Sequence, residues 1–162
     1  MTDVVIPLIT AFGGIFIGIA SNWAWRVFER GQRRRTLVAA LVSEAANHGV
    51  SLWRLLHEYP KSVTLAVANN QFYRAVATYE TAGDVFYAHI SSSDVIGVAA
   101  IRGMSDAYAA LRAAAHEAEH LTTVGARAGH ITKGMMWAFK DRLAWIVADL
   151  REAVSLLESV GD

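Results

Sequence analysis

The stretch VVIPLITAFGGIFIGIASNWAW, residues 4–25, carries no charged side chain over 22 positions. As a helix rising about 1.5 Å per residue it reaches roughly 33 Å, enough for a hydrocarbon core of about 30 Å. Helices in the core of a globular protein seldom stay uncharged for so long, so the stretch reads as one membrane-spanning helix. Met1-Thr2-Asp3 precedes it, and Arg26, Arg30, Arg33, Arg34 and Arg35 follow. A secretory signal peptide has the reverse order, with its positive charges first, so the expectation is an anchor that is kept.

The same charges predict a topology. Arg and Lys flanking a span stay on the cytoplasmic side, and only three residues would have to cross. The N-terminus is therefore expected outside and the bulk of the chain in the cytoplasm, on a single-pass protein of the inner (cytoplasmic) membrane. Trp23 and Trp25 suit the aromatic belt at the inner interface, and Arg26, Arg30, Arg33, Arg34 and Arg35 would lie against anionic headgroups there. Inside the span, Gly14 and Gly18 form a G-x-x-x-G pair that Ala11 and Ser21 extend along the same face. Small residues let two helix backbones approach closely, which is how spans associate in lipid. A homo-oligomer, or attachment to other membrane subunits, follows as the expectation.

Beyond the span the balance of charge changes sign. The chain holds 15 basic and 15 acidic residues, but residues 26–35 contain five Arg against the single acid Glu29. Residues 36–162 are left with ten basic and thirteen acidic groups. Nucleic-acid binding calls for a basic face on the folded domain, and this distribution offers none. The absence of Cys excludes disulfides and thiolate chemistry. The predicted organisation is an anchor over 1–30 with its span at 4–25, a basic juxtamembrane segment at 26–35, and one helical domain over 36–162, a common size for a single core.

Periodicity makes that domain all-α. Val38, Leu41, Ala45, His48, Leu52, Leu55 and Tyr59 recur at alternating steps of three and four, an apolar seam that Pro60 ends. With only Gly31 interrupting, the span and this helix read as one long helix, with room for a bend at the glycine. The opposite stripe, Glu44, Asn47, Ser51, Arg54 and Glu58, reads as an ordinary solvated face. A helix over Phe72–Thr81 stops at Gly83, and Asp84–Ile90 forms a further short turn. Asp94–Thr122 makes a long helix with Val98, Ile101, Tyr108, Leu111, Ala115 and Ala118 on one side. Gly125 and Gly129 mark a turn, and the last helix, Ile131–Val160, carries Met136, Phe139, Leu143, Ile146, Leu150, Ala153, Leu157 and Val160. Such seams predict an antiparallel bundle of three to four long helices.

One spelling points to chemistry. His116-Glu117-Ala118-Glu119-His120 satisfies H-E-x-x-H on a predicted helix, with His130 downstream as a third candidate ligand. Two His one turn apart bind Zn while the Glu polarises water. These five residues resemble the motif of the zincin metalloproteases. They depart from it at Glu119, a charge where those enzymes have an uncharged residue, and the chain lacks strands to hold a peptide. Glu117-x-x-His120 is also half of a di-iron carboxylate site, but a second Glu-x-x-His is absent. The Arg112/His116 and Arg127/His130 spacings are too short for the Arg–His pair of helical ribonucleases.

The expectation that best fits the whole is a membrane-anchored helical interaction module, an accessory, assembly or regulatory subunit of a membrane complex or a self-associating protein, with no cofactor and no nucleic-acid partner. Two alternatives stand beside it: a metal-dependent hydrolase built on His116, Glu117 and His120, and a membrane-acting effector, for example in phage exclusion or defence.

Overall fold

In the computed structural model the backbone is described for residues 2–58, 65–90, 96–128 and 133–161, and side chains for 21–57, 71–90, 96–123 and 134–159. Among these residues the chain is all-α. Its elements in order are α1 (Thr2–Glu58), α2 (Leu65–Ala77), a 3-10 turn (Thr78–Thr81), α3 (Asp84–His89), α4 (Val98–Ala128) and α5 (Lys133–Gly161). The fold divides into two compact units, Met1–Leu37 and Val38–Asp162, with the boundary inside α1.

The first unit is helical backbone throughout its described length, Gly31 included. Every residue from 21 to 36 is exposed. Local side-chain contacts are those of an isolated helix: Arg33 Nη2 donates to Glu29 Oε1 at 2.6 Å, the Thr36 hydroxyl donates to the Gln32 carbonyl at 3.0 Å, and the Trp25 and Phe28 rings lie 6.0 Å apart. No helix is long and apolar enough to cross a membrane among the described residues. Most of the expected span, residues 4–20, has side chains outside that description, and so do Ala11, Gly14 and Gly18.

The second unit is a helical bundle with α4 at its centre, packed against α2, α5 and the 3-10 turn. The periodic seams account for its core. Val38, Leu41, Ala45 and Leu52 of α1 are buried, as are Phe139, Leu143, Ile146, Leu150, Ala153 and Leu157 of α5 and Tyr108, Leu111, Ala115 and Ala118 of α4. Burying branched and aromatic side chains at about 25 cal/mol per Å² is the main stabilising contribution in such a bundle. Where α2 meets α5, the Phe72 and Tyr73 rings pack edge-on against Phe139 at 6.3 and 5.0 Å, and the Lys140 ammonium sits 5.1 Å from the Phe72 centroid.

Three details differ from the sequence expectation. Val98, expected on the packed side of α4, is 80% exposed because it is the first residue of the helix, ahead of its first buried turn at Ala100. Gly125, expected in a turn, lies inside α4, where one glycine costs about 1 kcal/mol against alanine and is readily outweighed by the packing of a 31-residue helix. The expected Phe72–Thr81 helix begins earlier, at Leu65, and tightens into the 3-10 turn at Thr78. The expected start of α4 at Asp94 lies outside the described residues, as do Tyr59, Pro60 and Gly129.

Candidate functional site

A cluster of polar contacts surrounds the turn into α3. Gly83 there has φ +84°, the left-handed region that favours glycine. A Cβ at this position would also stand 2.6 Å from Cγ of the Tyr108 ring, so the turn is glycine for two reasons, backbone conformation and the close approach of α4. Glycine has no side chain with which to cap the helix that follows, and the first amides of a helix lack intrahelical partners. Glu44 of α1 supplies what is missing. Its Oε1 accepts from the Val85 amide at 3.0 Å and its Oε2 from the Phe86 amide at 3.1 Å, so that one carboxylate spans two orphan donors at the positive end of the helix. Glu44, assigned by the sequence to a solvated stripe, is thus a tertiary cap.

Arg112 of α4 closes the same turn from the other side. Its Nε donates to the Ala82 carbonyl at 2.6 Å, its Nη2 to Asp84 Oδ1 at 2.8 Å, and its guanidinium lies 4.4 Å from the Tyr87 ring centroid. Arg suits this position because a planar, always-charged fork can hold a carbonyl and a carboxylate while stacking on a ring.

One turn along α1 from Glu44 is His48, on the apolar seam as predicted and half-buried. It meets Tyr79 and Tyr108 edge-on, with ring centroids at 5.6 and 6.0 Å. Burial pushes its pKa down, with the nearby Glu44 carboxylate opposing the shift. Neutral imidazole is therefore favoured in the fold. Burial raises the pKa of the Tyr108 hydroxyl strongly and the Glu44 carboxylate beside it adds to the shift, so the phenol stays protonated. Tyr73 is placed similarly across the bundle: among the described residues its buried hydroxyl meets no hydrogen-bond partner, and its pKa is raised by burial and by Glu117. Chemically the cluster is spoken for. Glu44 is occupied by two amides and Arg112 by a carbonyl, a carboxylate and a ring, which makes this a clamp that fixes the 82–86 turn.

The H-E-x-x-H residues are placed differently. His116, Glu119 and His120 are exposed on α4, and Glu117 is half-exposed. Glu117 Oε2 accepts from Arg142 Nη1 of α5, an ion pair that ties its carboxylate to a cation where a zincin-like mechanism needs a water. The Glu119 carbonyl accepts from both the Thr122 and the Thr123 hydroxyls. Among the described residues no group of three or more His, Asp or Glu side chains is placed to hold a metal ion. His130 lies outside them.

Of the expected membrane-interface residues, Trp23 and Trp25 are 69% and 65% exposed, and Arg26, Arg30, Arg33, Arg34 and Arg35 are all exposed. Ser21 is exposed as well. The turn clamp was the part that sequence reasoning missed. Its one signal was local: a glycine with no capping side chain, directly ahead of an acidic residue at the start of a short helix, calls for a donor-satisfying group from elsewhere. No family model matches this chain, and neither a curated protein nor a solved structure is similar to it.

Proposed function

We propose that this chain is a single-pass inner-membrane protein that holds an antiparallel helical bundle at the cytoplasmic face, with its N-terminus outside, and that it serves as an accessory, assembly or regulatory subunit through helix–helix contacts. The observation that carries this reading is the band at residues 21–36. Trp23, Trp25 and Phe28, at 69%, 65% and 57% exposure, stand among five exposed Arg. Large aromatics presented to water over two turns are costly, whereas at the headgroup layer the ring bodies find apolar surroundings and the guanidinium groups find phosphates. The uncharged stretch 4–25, whose end enters this band, supplies the span. The small-residue face Ala11, Gly14, Gly18 and Ser21 supplies a means of association within the bilayer.

The state of the bundle's polar groups favours interaction over catalysis. Glu44, Arg112, Glu117 and Arg142 are each engaged by another part of the bundle. A reporter fused after Asp162 tests the topology. Activity of a cytoplasmic reporter and silence of alkaline phosphatase are expected, and the opposite pattern would place the bundle outside.

A further inference from the structure

The outer face of α1 in the second unit, though it includes the exposed polar Asn47 and Ser51 at one side, carries no charged side chain from Val38 to Trp53. Val38, Leu41, Ala45 and Leu52 point into the core, and on the other side Ala39, Ser43, Ala46, Val50 and Trp53 are exposed, Val50 at 51% and Trp53 at 42%. From Val38 to Trp53 the only ionisable side chains are Glu44 and His48, and both turn inward, Glu44 to the α3 amides and His48 to the rings of Tyr79 and Tyr108. The outward side therefore carries no charge over about 24 Å, where a helix facing water normally alternates Lys, Arg and Glu. Its exposed positions follow one another at steps of four and three, the 3.5-residue period of a coiled-coil seam. At the far end the Trp53 ring stacks on His57 at 4.4 Å, a flat aromatic platform built before any partner arrives.

We infer that this face pairs with the same face of a second copy of the chain, with the two α1 helices parallel and in register. Charge selects this occupant. In a parallel, in-register pair every seam residue meets its own copy, so any charged position would face a like charge, and the seam must be neutral. A partner of different sequence imposes no such demand. Ala39, Ser43 and Ala46 keep the two backbones close, and Val50 and Trp53 supply the apolar area. The parallel sense rests on the proposed anchoring, because two chains held by N-terminal spans in one bilayer present α1 in the same direction. The location is distinct from the span face at Gly14 and Gly18 and places a second association surface outside the bilayer.

The native chain has no Cys, so single cysteines report contacts cleanly. Full-length protein in its own membranes is oxidised mildly with Ala39→Cys, Ala46→Cys or, as controls on the exposed faces of α4 and α5, Ala113→Cys or Ala148→Cys. Disulfide-linked dimer is expected from both α1 positions and not from the controls. Adding Val50→Arg to Ala46→Cys should reduce the dimer about tenfold, since two guanidinium groups then face each other across the seam. Dimer from Ala46→Cys without dimer from Ala39→Cys overturns the parallel register. No dimer from either, or as much from the controls, overturns the pairing. Alkaline carbonate extraction of the same samples separates the two readings: chain that stays in the membrane without crosslinking refutes the pairing alone, and chain that is extracted yet crosslinks at both positions refutes the anchor alone.

Discussion

Around Glu44, α1 reaches across to α3 and joins α4 in holding one turn; around Glu117, an ion pair with Arg142 links α4 to α5 at the bundle surface. Both residues are half-exposed glutamates on long helices, and only the second belongs to a recognisable motif. The first does more for the fold. Glu44 satisfies two backbone amides in the first turn of α3, where amides lack intrahelical acceptors, and an amide left unsatisfied costs the full desolvation of that group, about 1–3 kcal/mol. Glu117 meets Arg142, a cation that water would solvate nearly as well, and exposed pairs of this kind contribute about 0–1 kcal/mol. A carboxylate's contribution is thus set by what its partner would do in its absence, and a motif spelled in the sequence says nothing about that.

The comparison breaks most visibly at the turn that Glu44 caps. Gly83→Ala forces a side chain into the left-handed region and against the buried Tyr108 ring, and is expected to cost about 2–4 kcal/mol, read as a lowered melting temperature of the full chain in detergent. If Gly83→Ala melts like the native protein, the turn is not held as tightly as the clamp requires. Glu44→Gln keeps the shape but replaces the anion, and one of its two acceptors, by an amide group. A loss of about 1–2 kcal/mol is expected in the same measurement.

The pH dependence sharpens the same side. His48 has a pKa below its ordinary value of 6.5 because burial opposes its charge, so the unfolded chain binds this proton more readily than the fold does. Stability from this group is fully present above pH 6.5 and declines as pH falls through the window between 6.5 and the folded value. Comparing melting temperatures at acidic and neutral pH for the native chain and His48→Gln checks the sign: the native chain should lose more on acidification. The smallest effect belongs to Glu117→Ala, expected to cost under about 1 kcal/mol and to leave chelator sensitivity unchanged. A large melting shift on adding EDTA, abolished by Glu117→Ala, would reverse the comparison and restore the metal reading.

Sequence periodicity reached the core but not the clamp. Leu41, Leu52, Leu143 and Leu157 were identifiable because burial repeats with the helical turn, and a chain of one-dimensional spacings records it. The role of Glu44 was not identifiable because its partners, Val85 and Phe86, lie about forty residues away and offer backbone amides that no residue type announces. Arg112 was weighed only against His116, its neighbour along the helix, when its contacts are Ala82, Asp84 and Tyr87. H-E-x-x-H was uninformative for the complementary reason. Spacing puts two His and a Glu on one turn of helix, but only the packing of α5 brings Arg142 to the Glu.

The residues alone determined that the chain is helical, where its helices carry their apolar seams, and that an uncharged stretch precedes a block of Arg, because these properties are periodic or contiguous along the chain. Tertiary structure decided which glutamate is committed to the fold, why Gly83 cannot be another residue, and that α1 keeps a charge-free outer face because Glu44 and His48 turn inward. Each of these depends on which helices become neighbours, and that is set by packing the seams together in three dimensions rather than by any one of them.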